Sequence, residues 1–522
     1  MITSLKELIV VLAIATVIFR LGRPIALRFT DALDYSRRRN VWFTLTAAAF
    51  ISPNFWWFAL LAAPLLVWAG RKDKNPLALY LLLLQVIPSI PVTVPLPGFN
   101  LLFDVDNYRL LSLCIMVPAA WRLRNDKDSA RIRGMTAMDA AILVYGVLQV
   151  ALFVVPDLPN HAIIADSFTN QLRRALLFFV DVYVLYYVSS RSCVSRQLIA
   201  EAQAAFCLAC VVMASVAIFE TLRHWLLYTD ISLRWGNDLS VAIYKFRGGS
   251  LRAQASSGNT LVLGYLLAIA LGFWEYLQSH ISGKFPRYAV AGLLLLGILA
   301  TYSRGPLIGA IVIYVIVFSL RLRKMVRFLL VGVGALSVAL LFSDVSLGDR
   351  ITQLLPFSKG PAGEEASYSI SYRQRLAARS WELIQAHPLF GDQMALQKMQ
   401  DLRQGEGIID LVNAYADVTV LYGVVGLGMF VGVMLIALAR TIRTARMSAR
   451  NDPDLALLGS SLIACILGTL VMMATCSFIL GYEKLFYMIA GIAAAYANLG
   501  RSPRPGAAAH RVATVRRSSA EC

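Results

Sequence analysis

The run from 289 to 320 carries a single charged side chain, Arg304, in the middle of "ILATYSRGPLIGAIV" (298–312). As one straight helix it would measure about 48 Å, against a bilayer hydrocarbon core of about 30 Å. The run therefore has to fold back on itself. "SRGP" supplies the break, with Gly305 for an unusual backbone conformation and Pro306 as the first residue of the next helix. A guanidinium at mid-bilayer costs about 2.5 to 17 kcal/mol, depending on the method. A hairpin tip removes most of that cost by placing Arg304 at one membrane face or slightly sunk into it.

Comparable apolar stretches recur along all 522 residues, which are 58% hydrophobic with a mean hydropathy of +0.63. No soluble segment of ordinary domain size separates them, so the pattern specifies an all-α polytopic membrane protein. Helices are expected near 4–19, 77–96, 108–121, 138–155, 172–190, 198–222, 259–278 and 288–303. Others are expected near 305–320, 326–342, 413–439, 455–476 and 482–499. The apolar 41–69 has basic flanks at both ends and reads as a short hairpin broken at "SPN" (52–54). The total is about 13–15 transmembrane helices with one long outer loop containing an amphipathic helix.

Four regions follow: an N-terminal transmembrane bundle (1–342) with an outer loop at 223–258, a large outer loop (343–412), C-terminal transmembrane helices (413–499), and a disordered, basic cytoplasmic tail (500–522). "LIVVLAIATVIF" is followed by no small-residue cleavage site and reads as a retained first helix, not a secretory signal.

The net charge of +18 raises nucleic acid as a partner, but its placement argues against that. Basic residues cluster between spans, in 20–39, 71–74, 122–133, 321–327, 440–450 and the tail, as expected of cytoplasmic loops. Cys207 and Cys210 form a C-x-x-C inside an apolar helix with no second ligand pair. They read as packing residues, and neither a zinc site, a disulfide nor a cofactor is inferred.

The arginines that break this pattern are the informative ones. Arg173 and Arg174 open "LRRALLFFVDVYVLYY" from the outer side, and Arg109 begins "NYRLLSL". The outer loop carries Arg223, Arg234, Lys245, Arg247 and Arg252. Any one of them could snorkel to headgroups or pair with a carboxylate. As a set with Arg304 they form a cationic ring suited to an anionic ligand, since guanidinium forks bind phosphate bidentately. Asp181, in "FFVDVYV", reads as a partner for Arg174 or another nearby arginine.

The outer segment 343–412 is too long for a simple connection. Within it "YSISYRQRLAARSWELIQAHPLFG" (368–391) reads as an amphipathic helix, with Tyr372, Leu376, Leu383 and Ile384 on one face and Arg375 and Arg379 on the other. "HPLFG" ends it, and His387 needs no role beyond that. If "GEGIIDLVNAYADVTVLYGVVGL" (405–427) is helical, Glu406, Asp410, Asn413 and Asp417 share one stripe. Such a stripe either lines a cavity or serves as a capping and packing network.

"YSRGP", then "YRQRLAARSWELIQAHPLFG", then "VNAYADVTVLYGVVGL" together resemble the O-antigen ligase and Wzy-type O-antigen and exopolysaccharide polymerase superfamily, over about residues 250–440. The resemblance implies a multi-pass enzyme of the bacterial inner membrane whose active site faces the periplasm. It implies undecaprenyl-pyrophosphate-linked glycans as substrates, joined by a metal-independent, inverting glycosyltransferase reaction. Membrane lipids, a flippase and a chain-length regulator of the same pathway are the further partners implied. Arg304 falls on the family's "SRG" arginine, Arg252 on the arginine before the next span, and Arg373 or Arg375 on its loop arginine. Ligases carry a histidine before the asparagine of "HNxxL"; here Val412 precedes Asn413, which leans the reading toward a polymerase.

On that reading Arg304 and Arg252 neutralise the leaving pyrophosphate, supported by Arg173 and Arg174. Arg373, Arg375, Arg379, Asn413 and Tyr415 are the candidates for holding the glycans. Asp410, with Glu406 second, is the expected general base. The rivals are a ligase acting on lipid A-core and, in a different class, a transporter or flippase of a lipid-linked anion. Against the transporter, the arginines gather at one face and no internal repeat is present.

Overall fold

The computed structural model describes residues 2–93, 104–125, 135–154, 168–236, 243–247, 249–321, 361–402, 409, 411–476 and 482–500. Glu406, Asp410, the helix expected near 326–342 and the tail beyond 500 lie outside them.

Helices α1 (Ile2–Ala26), α2 (Ala32–Ile51) and α3 (Phe55–Lys72) open the chain. The break between α2 and α3 falls at "SPN", where Asn54 caps α3 by accepting from the Trp57 N–H. Further on come α4 (Arg196–Arg223), α5 (Thr260–Leu277), α6 (Lys284–Ala300) and α7 (Arg304–Arg321). The second half holds α8 (Pro361–Ala386), α9 (Ala414–Ser448), α10 (Pro453–Met473) and α11 (Tyr482–Leu499). Between α3 and α4, helical stretches cover 107–125 and 168–192, each with a π-helical turn, at Ser112–Met116 and Phe179–Tyr183.

The chain is an all-α polytopic membrane protein. Five helices among the described residues are long and apolar enough to cross a membrane: Thr3–Ala26, Arg196–Arg223, Thr260–His280, Ala414–Ser448 and Pro453–Met473. Among the described residues the count by that measure is below the anticipated 13–15, since several apolar runs there form shorter or interrupted helices and the run near 326–342 lies outside them. Residues 77–96 illustrate this. The helix there ends at Leu83, and Val92–Thr93 instead pair with Asp104–Val105 as a short antiparallel ladder.

At the centre stands α5, 94% buried over its apolar window, touching α4, α6, α7 and α10. α9 packs on α10 and α11, and α8 packs on α9.

Polar contacts sort the helix ends into two faces. At one, Arg38 pairs with Asp73 at 2.6 Å and Glu201 at 2.9 Å, and Arg196 reaches Asp452 and Asp454, each at 2.9 Å. At the other, Arg234 donates to the carbonyls of Ser52 (2.8 Å) and Phe50 (3.0 Å). On that second face the Ala253 N–H meets the Ala300 carbonyl and the Ala414 N–H meets the Cys476 carbonyl. The interhelical basic clusters belong to the first face. The "SRGP" turn belongs to the second.

Candidate functional site

The turn between α6 and α7 spans only residues 301–303. It is made by Tyr302, which takes the left-handed conformation at φ 48°, and not by Gly305. The expected special backbone at Gly305 is therefore corrected. Gly305 is needed for space, because a Cβ there would lie 2.3 Å from the Thr475 hydroxyl. The helix begins at Arg304 itself, two residues ahead of Pro306.

Helix α6 ends with carbonyls that have no partner within the helix, and the neighbouring loop supplies donors. Ala300 O accepts from the Ala253 N–H at 3.1 Å and from the Thr221 hydroxyl at 3.1 Å. Thr301 O accepts from Arg252 Nε at 3.1 Å, and Tyr302 O accepts from Arg247 Nη1 at 2.7 Å. Arg252 Nη2 also donates to Thr260 Oγ1 and Ser303 Oγ, both at 2.8 Å. Two cations thus sit at the negative end of α6, where the helix dipole favours them. Arg252, anticipated as a direct phosphate ligand, is in this structure a brace for the turn.

Arg304 has the opposite placement. It is exposed at the positive end of α7, and among the described residues it makes no hydrogen bond or ion pair. A cation at a helix N-terminus opposes the dipole. The arrangement becomes favourable when an anion sits between the guanidinium and the first N–H groups of the helix.

One buried carboxylate that the sequence reading passed over holds the bracing loop. Glu220, fully buried near the end of α4, accepts from the backbone N–H groups of Leu227 (3.0 Å), Gln254 (3.0 Å) and Ala255 (2.8 Å). It is the only acidic residue in the apolar stretch 202–222, a signal that could have found it.

Asn413 is the N-cap of α9, accepting from the N–H groups of Tyr415 (3.0 Å) and Ala416 (3.2 Å). Tyr415 donates its hydroxyl to the Leu470 carbonyl at 2.6 Å. The Cys476 carbonyl takes the Ala414 N–H, and Thr475 abuts Gly305, so the end of α10 joins the Asn413 cap to the Arg304 turn. The stripe of Glu406, Asp410, Asn413 and Asp417 is not one helix face. Val412 is left-handed at φ 52° and Asn413 is extended, so α9 starts only at Ala414.

The remaining arginines divide. Arg174 is exposed and Arg173 half-buried on the helix Phe168–Phe178. Arg109 donates to Asp181 at 2.9 Å, and Lys484 reaches the other Asp181 oxygen at 3.2 Å. Asp181 is thus paired with a nearby arginine, Arg109, and also with Lys484. Lys484 was missed, although "YEK" opens an apolar span and flags it. On α8, Arg373 and Arg375 are exposed and Arg379 pairs with Glu382 at 2.6 Å. Tyr372, Leu376 and Leu383 are buried there against Met399, Leu411 and Val420.

α9 is broken at Gly423 (φ 67°), and "HPLFG" docks in the break. The N–H groups of Val424 and Val425 donate to the carbonyls of Pro388 (2.9 Å) and Leu389 (3.2 Å). Val420 O accepts from the Asp392 N–H at 2.8 Å, and Leu421 O from Gln393 Nε2 at 2.9 Å. These four backbone groups beside the break thus find partners outside the helix, as a low-dielectric setting demands. "HPLFG" is therefore more than a helix stop.

Residues 289–431 match the family model described as O-antigen ligase. The match takes in α6 from residue 289 onward, the Arg304 turn, α7, α8 and the broken first half of α9, and it supports the O-antigen ligase/Wzy superfamily that these motifs resemble. No curated protein matches the chain. A membrane enzyme of O-antigen ligase or polymerase type, acting in polysaccharide biosynthesis, is the activity this match supports.

Proposed function

We propose that the chain polymerises undecaprenyl-pyrophosphate-linked oligosaccharide units at the periplasmic face of the bacterial inner membrane. The observation that carries this reading is Arg304, an exposed cation at the start of α7 on a turn held rigid by Arg247 and Arg252. In the reaction an acceptor sugar hydroxyl attacks the anomeric carbon of a second lipid-linked glycan. The new C–O bond forms as the bond to pyrophosphate breaks. Undecaprenyl pyrophosphate leaves with the electron pair, and the hydroxyl proton passes to a base.

Arg304 and the α7 N-terminus meet the charge that develops on the departing pyrophosphate. Such preorganised donors contribute about 3–4 kcal/mol each when removed. Arg173 and Arg174 extend the positive surface, Arg373 and Arg375 reach the glycans from α8, and Asp410 or Glu406 takes the proton. Attack from the face opposite the leaving group inverts the anomeric centre, with no metal in any step.

Polymerase is favoured over ligase by Val412, which stands where a ligase carries histidine and offers no proton acceptor. Deleting the gene and extracting undecaprenyl-linked glycans tests the reading. Single repeat units without polymer support it. Long chains retained on undecaprenol with none transferred would assign a ligase. Turnover by purified protein in liposomes without a gradient separates either enzyme from a transporter.

A further inference from the structure

The "HPLF" turn, 387–390, is anchored at a definite depth along α9. Arg440 and Arg443 mark the basic end of that helix. Counting back about 20 residues from Arg440, or about 30 Å of helix, spans the hydrocarbon core and arrives at Val420. The break at Gly423 therefore lies at the outer edge of the hydrocarbon. The bonds from Val424 and Val425 to Pro388 and Leu389 fix the turn at that same level.

At this level the apolar side chains point away from the protein. Leu389 is 61% exposed and Phe390 38%, beside Val424 on α9 at 54%. Trp381, five residues before α8 ends, is 60% exposed, and Arg375 lies further up the same helix. The order along the structure is aliphatic and aromatic, then tryptophan, then arginine. That is the order of hydrocarbon, interface and headgroup in a bilayer leaflet. The patch also continues the outward surface of α9, where Leu435 is 52% exposed.

We infer that the "HPLF" turn and the adjoining edge of α8 form a wedge inserted in the outer leaflet, with Leu389 and Phe390 among acyl chains, Trp381 at the interface and Arg375 at lipid phosphates. The partner is the lipid bilayer itself. Helix α8 then rises from the membrane surface instead of standing free in water, which holds its arginines beside lipid-borne headgroups.

The test is a depth measurement on the full chain in liposomes of phosphatidylcholine and phosphatidylglycerol. Nitroxide labels are placed singly by Arg375→Cys, Trp381→Cys, Leu389→Cys and Phe390→Cys, in a Cys522→Ser background. The six other cysteines are buried. The ratio of oxygen to nickel-chelate collisions is expected to rise from 375 through 381 to 390, reaching severalfold at 390. If Phe390→Cys does not fold, the label at 389 gives the same reading. Nickel access at 389 and 390 equal to that at 375 overturns the wedge. Shielding of both from oxygen as well as nickel also overturns it, and assigns the patch to a protein contact. Depth is read without turnover, so a failure here leaves the proposed reaction standing.

Discussion

Glu220 and Ala255 are joined by a hydrogen bond of 2.8 Å from the Ala255 N–H to the buried carboxylate. Ala255 is itself left-handed, at φ 45°. From there the connection runs through Ala253 and Arg252 to the carbonyls of residues 300 and 301, and so to Arg304. Glu220→Gln replaces one acceptor oxygen with a donor facing backbone N–H groups. Loss of roughly 2 kcal/mol is expected, as for hydrogen bonds to a charged group. Turnover falls by up to about 100-fold through misplacement of Arg304. Thermal unfolding and product formation check the two parts.

Arg304→Ala is expected to lower turnover by about 100- to 1,000-fold while leaving the melting temperature unchanged. The side chain is exposed and, among the described residues, makes no hydrogen bond or ion pair that its loss would break. Arg304→Lys keeps the charge without the fork, so polymer length intermediate between wild type and Arg304→Ala is expected.

Gly423→Ala is destabilising on two counts. The residue sits at φ 67°, and a Cβ there would lie 2.1 Å from the Leu389 carbonyl oxygen. Strain alone costs about 1–3 kcal/mol. Gly391→Ala, with φ 69° and a backbone neighbour at 2.6 Å, should act in the same direction. A lowered melting temperature and increased proteolysis between 387 and 395 are the readouts.

Asp181→Asn leaves Arg109 and Lys484 sharing a buried site with less compensation, Lys484 being almost wholly enclosed. Removing one partner of a buried pair costs about 3–5 kcal/mol. Reduced yield of folded protein in detergent is the expected result, and Asp181→Glu should recover part of it.

Burial pushes the Asp392 carboxyl up, but hydrogen bonds from Lys398 and the Met394 N–H outweigh it and hold the folded value below the ordinary one. The contribution is therefore full above the ordinary carboxylate range and disappears as pH falls through the folded value, below about pH 4. Lys398 is half-exposed, so its size is at most about 1 kcal/mol. Melting temperatures of wild type and Asp392→Asn should differ near neutrality and converge on acidification.

What the sequence determined by itself is what period and length control. An uncharged stretch too long for one crossing has to turn back near Arg304, and it does so at 301–303. The alternation along 372–384 sets which face of α8 is buried, because helical spacing places Tyr372, Leu376 and Leu383 together whatever they meet. "SPN" had to end a helix, and Asn54 begins the next one.

Tertiary structure alone decided which arginines are committed. Arg252 and Arg304 look alike in sequence, yet one sits at the negative end of a helix and the other at a positive end. Asp181 and Lys484 are some three hundred residues apart, and only the packing of their helices makes them partners. Nor does spacing show that Gly391 and Gly423 serve one contact, a turn completing the hydrogen bonds of a broken helix. Local rules fix where a backbone can turn. Which charge is neutralised depends on what the fold brings within about 3 Å, and that distance is set by the whole bundle.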